Sequence, residues 1–251
     1  MKIVVIGGTG LIGSKLIRRF AAHGHDAVAA APSTGVNTLT GEGLDEVLTG
    51  ADVVVDVSNS PSFEPAAVLE FFTTSTTNVL AAEQRAGAGH HVALSIVGTE
   101  RLPGNGYFAA KIAQEDLIVK SGVPYSLVHA TQFFEFTLGI ADAATTGSQV
   151  RIAPVKYQPM AGDDVADAVA RIAAGTPLNG RQEIAGPDQV RMDEFVREAL
   201  ALTGDPREVV ADEHATYFGS ELREGSLVPE GDGAQLGHIH YADWVKGQAE
   251  R

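Results

Sequence analysis

The chain has 251 residues, 44% of them hydrophobic and 20% charged, with 18 Lys and Arg against 32 Asp and Glu and a net charge of −14. That length and apolar fraction suit one large domain, or a domain with an appended lobe, and exclude disorder as a description of the whole chain. The absence of cysteine excludes disulfide scaffolds, thiolate metal sites and cysteine nucleophiles, and the acidic balance repels phosphate backbones and anionic lipid, so neither nucleic acid nor a membrane is expected as a partner.

The opening MKIVVIGG holds an apolar run far too short for a signal-peptide core or a membrane span, and the chain is expected to be cytoplasmic. Residues 2–6 are predicted as a strand: after Lys2 the run Ile3-Val4-Val5-Ile6 is β-branched and uninterrupted, the pattern of a strand buried on both faces. Leu11, Ile12, Leu16, Ile17 and Phe20 then recur at helical spacing, and His23-Gly24 ends that helix. The alternation continues with strands at 26–31, 52–57, 91–97 and 125–129 and helices at 65–85 and 106–120. Strands alternating with helices of this length imply right-handed crossovers and an α/β fold, a doubly wound parallel sheet.

After residue 131 the rhythm changes to an aromatic cluster, short strands near 150–152 and 182–184, and helices near 165–174 and 192–202. This predicts a small C-terminal α+β lobe: residues 1–150 form the nucleotide-binding domain and 151–251 a substrate lobe packed on the same core. The glycine-rich stretch 224–237 is expected to be a mobile loop.

Between the first strand and first helix stands Gly7-Gly8-Thr9-Gly10-Leu11-Ile12-Gly13. Gly7 allows the tight turn, Gly10 the approach of a pyrophosphate, and Gly13 close packing of helix on strand. The N–H groups of Leu11 and Ile12 then point at the anion with the helix dipole behind them. This context predicts a dinucleotide site, and the missing Gly-Lys-Ser/Thr excludes a mononucleotide P-loop. A carboxylate ending the second strand would favour NAD, but the chain reads Ala30-Ala31-Pro32-Ser33-Thr34 with no acid before Glu42. Ser33 and Thr34, with Thr9 nearby, can donate hydroxyls to a 2′-phosphate, which favours NADP(H) over NAD(H), or they serve only as turn residues beside Pro32.

Tyr107 and Lys111 lie four residues apart on one helix face, and Ser95 lies on the preceding strand, joined through 102–106. Hydride reduction of a carbonyl leaves an oxyanion that needs a proton, and a phenol near pKa ~10 is a reluctant donor. A neighbouring ammonium favours the phenolate and eases release. The expected arrangement has Ser95 hydrogen-bonding the substrate oxygen, Tyr107 transferring the proton, and Lys111 holding the nicotinamide ribose while lowering the Tyr107 pKa.

GGTGLIG, VALSIVG, YFAAK and SGVPYSLVHATQFFEF together resemble the NmrA-like atypical short-chain dehydrogenase/reductases, NAD(P)-binding proteins of Rossmann fold. The family's strand-borne Ser, Tyr-x-x-x-Lys helix, following Glu and Ser-Gly-hydrophobic-Pro-Tyr turn match Ser95, Tyr107, Lys111, Glu115 and residues 121–125. The resemblance spans roughly residues 1 to 175, including GDDVADAVARIA. It implies an NAD(P)H-dependent oxidoreductase acting on a carbonyl or quinone-like group of an apolar small molecule, as a monomer or homodimer. It equally admits an NADP(H)-sensing regulatory protein without turnover, and a cofactor-retaining epimerase is a third reading. The chain departs from many relatives at His129-Ala130, where they carry Arg-Pro, and at Ser33-Thr34, where they carry an Arg.

The resemblance also places the backbone of Val57, Ser58 and Asn59 along the nicotinamide. Phe133, Phe134 and Phe136 follow a strand end and either wall the substrate pocket or pack into the core. His129 points toward the same region, to orient substrate or as a hydrogen-bonded structural histidine. Glu115 supports the catalytic helix or pairs with Lys111. His90 and His91 are expected to be solvated. His238 and His240 share one face of a possible strand close to Asp243, without the third ligand and dry setting that a metal needs, so no metal is assigned.

Overall fold

A computed structural model describes residues 1–102 and 104–249; Pro103, in the segment leading to Tyr107, lies outside the described residues. The main sheet has seven strands, all parallel: β1 (Lys2–Ile6), β2 (Asp26–Ala30), β3 (Val53–Asp56), β4 (His90–Ile96), β5 (Tyr125–Ala130), β6 (Gly180–Ala185) and β7 (Gln235–Leu236). Their spatial order is β7-β6-β5-β4-β3-β1-β2. The strand order reverses at β1, so the crevice at the carboxyl ends of β1 and β3 is where a ligand binds in such a sheet.

The helices are α1 (Leu11–Ala22), α2 (Leu44–Leu48), α3 (Pro65–Ala86), α4 (Gly106–Lys120), α5 (Thr137–Ala143), α6 (Gly162–Ala173), α7 (Met192–Thr203) and α8 (Tyr241–Ala249). Period-two alternation sends Ile3, Val5, Val53 and Val55 to the face covered by Leu16 and Phe20 of α1 and Val165 and Val169 of α6. Val4, Ile6 and Val54 point the other way, against Leu44 and Leu48 of α2 and Val79 of α3. Among the described residues no helix is long and apolar enough to cross a membrane.

A separate core gathers Phe134, Ile140, Tyr157, Phe195, Leu200 and Tyr241 from the C-terminal part. The segment 224–237 is packed rather than free. Leu227 is fully buried, Arg101 donates to the carbonyls of Gly225 and Val228 at 2.6 Å each, and Gln235–Leu236 is strand β7. These contacts come from residues more than 50 positions away, which its glycine content concealed.

His90 and His91 are both buried, not solvated. His90 Nε2 meets Ser126 Oγ at 2.8 Å, and burial, aided by the charge of His91, pulls its pKa down to about 4. Burial also opposes charge on His91, but the Glu83 carboxylate 2.7 Å from Nδ1 outweighs it and the pKa ends raised. The two have opposite linkage. Unfolded chains take up a proton at His90 as pH falls below about 6.5, so its contribution is lost toward acid. The His91 contribution is complete below about 6.5 and is lost as pH rises through its raised pKa. The thermal midpoint, followed by calorimetry across this range, should peak near neutrality and fall on both sides. His90→Gln should flatten the acid limb and His91→Gln the alkaline limb, and a limb unchanged by its variant would refute the assignment.

Candidate active site

The glycine turn is built as its spacing demands. Gly7 has φ +77° and donates to Ala30 O at 2.9 Å, while Gly10 N returns to Gly7 O at 2.9 Å. A Cβ on Gly13 would lie 2.1 Å from Gly7 O, so α1 rests directly on the turn. Gly8, given no role by the motif, is as tightly held: its Cβ would sit 2.7 Å from Ala29 Cα. No side chain caps α1 at Gly10, and the first-turn N–H groups have no partner within the helix. Thr9, Gly10, Leu11 and Ile12 line the mouth of a cleft of about 1240 Å³. An uncapped helix N-terminus opening on a cleft fits an anionic dinucleotide.

Residues 1–40 carry four basic side chains against one acid, yet those on α1 do not serve the cleft. Lys15 Nζ lies 2.6 Å from Asp163, and Arg19 pairs with Asp163 and Asp167, clamping α1 to α6. At the adenosine end Thr34 is committed locally: its hydroxyl accepts from Ala31 N at 2.9 Å and lies within donating distance of the carbonyls of Ala29 and Ala31. Neither Ser33 nor Thr34 lines the cleft; Val36, Asn37, Thr38 and Leu39 do. The side chains expected to hold a 2′-phosphate are therefore displaced by a single helical turn, Pro32–Thr34.

Val57, Ser58 and Asn59 follow β3 along the cleft wall. Ser58 Oγ is turned away, donating to Asp56 Oδ1 at 2.7 Å. Asn105 caps α4, its Oδ1 accepting from Tyr107 N and Phe108 N at 3.1 and 3.2 Å, which orients the first turn that presents Tyr107. The Tyr107 ring stands between Phe63 and Phe72, and its hydroxyl donates to Asn59 Oδ1 at 2.7 Å.

Lys111 turns inward. Its Nζ donates to Leu94 O at 2.8 Å and to Gln114 Oε1, and stands 4.4 Å from the centre of the Phe72 ring. Gln114 Nε2 donates in turn to the buried carboxylate of Asp56 at 3.1 Å. Burial pulls the ammonium down to about 8, against the favourable charges of Asp56 and Glu115. Burial likewise pushes the Tyr107 phenol up to about 12, the reverse of the expected lowering.

Ser95 also differs from its expected role. Its hydroxyl donates to Glu115 Oε1, so the oxygen facing the cleft is an acceptor, suited to a hydroxyl rather than to a carbonyl oxygen. Glu115 faces Ser95 and His129 Nε2, 3.2 Å away, and not Lys111. His129, on β5 between β4 and β6, is buried and does not line the cleft. Of the three phenylalanines, Phe133 and Phe136 stack at 5.6 Å and line the cleft, whereas Phe134 packs against Phe195, Tyr241 and Trp244 in the C-terminal core.

His238 and His240 are not on a strand and reach different carboxylates, Asp164 at 2.8 Å and Asp188 at 2.6 Å. Asp56, Gln114, Glu135 and the pair Tyr217–Phe218 are site residues that motif spacing did not single out. The acid closing the apolar β3 and the glutamine three residues after Lys111 were the available signals for the first two. Glu135 lines the cleft and receives Gly162 N on both oxygens at 3.1 Å.

A sequence model of the NAD dependent epimerase/dehydratase family matches residues 3–130. Over 153 residues the chain is 23% identical to the photosystem II assembly factor Ycf39 of Synechocystis sp., a match covering 55% of this chain and 47% of that protein. The chain thus spans about half the length of this curated relative. Among solved structures, MoeE5 in complex with UDP-glucose and NAD superposes with TM-score 0.74 at 18% identity, covering 100% of this chain and 99% of that one. RMD from Pseudomonas aeruginosa complexed with NADPH superposes with TM-score 0.71 at 14% identity, covering 98% and 97%. At these identities the likeness is one of fold.

Proposed function

The chain belongs to the NAD dependent epimerase/dehydratase family, and from that premise we propose that it is an NADP(H)-dependent oxidoreductase of the NmrA-like, atypical short-chain kind. It reduces a carbonyl or quinone-like group of an apolar small molecule, as a cytoplasmic monomer or homodimer whose residues 1–150 hold the cofactor and 151–251 complete the substrate site. The observation that carries this proposal is the continuity of one cleft, lined by the uncapped start of α1, by Ser58 and Asn59, by Tyr107 and Lys111, and by Phe133 and Phe136.

Leu11 and Ile12 bind the pyrophosphate through their N–H groups. Asn37 and Thr38 face the adenosine ribose. The preference for NADP(H) rests on the absence of a carboxylate after β2, since among the described residues no Asp or Glu other than Glu135 lines the cleft. A bound nicotinamide supplies the hydride. Tyr107, oriented by Asn59, delivers the proton, and the Ser95 oxygen accepts from a hydroxyl of ribose or product. Lys111 supplies positive charge beneath the ribose.

The inward Lys111 and the high phenol pKa favour one second reading, a protein that binds NADP(H) and regulates a partner without turnover; the partial match to an assembly factor points the same way. Fluorescence titration with NADPH and NADH, followed by NADPH consumption over a panel of quinones and aromatic ketones, separates the two. Tighter NADPH binding together with consumption is the expected result. Binding with no consumption across the panel would overturn the reductase reading and leave the regulatory protein or a cofactor-retaining epimerase.

A further inference from the structure

A hairpin in the C-terminal part contributes two residues, Tyr217 and Phe218, to the lining of the cleft. Thr216–Tyr217 pairs antiparallel with Ser220–Glu221 through the two-residue turn Phe218-Gly219, and both turn residues have positive φ, 47° and 84°. Such a turn is met without strain by Asn-Gly or Gly-Gly, whereas a phenylalanine in the left-handed region clashes with its own backbone. The Phe218 ring is 58% exposed, so burial does not offset that strain.

What the conformation achieves is placement. Tyr217 and Phe218 line the same cleft as Tyr107. The Phe218 carbonyl accepts from Asn105 Nδ2 at 3.3 Å, so the side chain that caps α4 at Tyr107 also holds the hairpin tip. The tip residues Tyr217, Phe218 and Gly219 also line a second, smaller cavity of about 210 Å³ together with Ile140, Ile152 and Met192. Two exposed rings, Phe63 and Phe136, line the same cleft.

Charge narrows the ligand further. Among the described residues the cleft is lined by one cation, Lys111, and one acid, Glu135. Lys111 is already hydrogen-bonded to Leu94 and Gln114, and Glu135 to Gly162. A second diphosphate beside that of the cofactor would find no cationic partner, while a flat uncharged ring would find aromatic faces.

We propose that Phe218, with Tyr217, is a specificity-determining contact and that the substrate is an uncharged planar aromatic molecule stacked against the hairpin tip, not a nucleoside diphosphate sugar. This deepens the oxidoreductase reading and rests on it. The test uses the full chain and its F218N and F218W variants, with menadione and UDP-glucose as probes in calorimetric titrations, NADPH affinity by fluorescence, and thermal midpoint. F218N should raise the midpoint by relieving the turn, keep NADPH affinity, and weaken menadione by about tenfold; F218W should retain menadione. Menadione affinity unchanged in F218N, no menadione binding to the parent chain, or UDP-glucose binding tighter than menadione would overturn the proposal. Loss of the oxidoreductase reading would be seen separately, as absence of NADPH binding or consumption while the menadione titrations still report on the hairpin.

Discussion

Replacing Tyr107 by phenylalanine is expected to lower kcat/KM for quinone reduction by roughly 10²–10⁴-fold, the usual contribution of a positioned proton donor. NADPH affinity should be unchanged. The phenol oxygen makes one hydrogen bond, to Asn59, and the ring keeps its contacts with Phe63 and Phe72, so the substitution removes a proton without disturbing the fold. Retained turnover would remove Tyr107 from the reaction. In the parent enzyme kcat/KM should fall as pH rises through about 8, because Lys111 loses its charge there, while Tyr107, near 12, stays protonated. A profile flat through pH 8 would mean that the Lys111 charge has no part in the reaction.

Gly13→Ala is expected to destabilise the protein by about 3 kcal/mol and to abolish cofactor binding. Its Cβ would lie 2.1 Å from Gly7 O and 2.7 Å from Gly8 Cα, both backbone, so α1 must move off the turn. For a chain of this size that corresponds to a fall in thermal midpoint of roughly 6–12 °C. Gly10→Ala is the informative contrast. Its Cβ would meet only Gly7 O, at 3.3 Å, with φ at −79°, so the fold should survive while the methyl group crowds the pyrophosphate. Calorimetry and NADPH titration on both variants check this; equal stability loss in the two would contradict the assigned roles.

These two sites also mark how far the sequence can be read. The glycine turn was legible because its determinants are local: seven consecutive residues, a strand before and a helix after, and a steric demand that only glycine meets. The parallel sheet was legible for a similar reason, since uninterrupted apolar runs such as 3–6 within Lys2–Ile6 and 53–55 within Val53–Asp56 show that both faces are covered without saying by what. The Tyr107–Lys111 pair was half legible. Helical spacing put both side chains on one face of α4, but the direction in which Lys111 turns depends on Asp56, 55 positions earlier, and on a carbonyl of β4.

The remaining errors share that cause. Lys15 and Arg19 stand close in sequence to the glycine turn, but α6, some 148 positions on, brings Asp163 and Asp167 against them. His90 and His91 looked solvated until Glu83 and Ser126 met them in the interior. Tyr217 and Phe218 carried no periodicity, and only the hairpin and its tie to Asn105 bring them to the cleft. The sequence by itself determined the fold class, the glycine turn between β1 and α1, and the shared helix face of Tyr107 and Lys111, because backbone sterics and hydrophobic periodicity act between neighbours along the chain. Which way those side chains point, which partners they hold and which rings line the cleft were decided by tertiary structure, because hydrogen bonds, ion pairs and burial act across space between residues that the chain order keeps far apart.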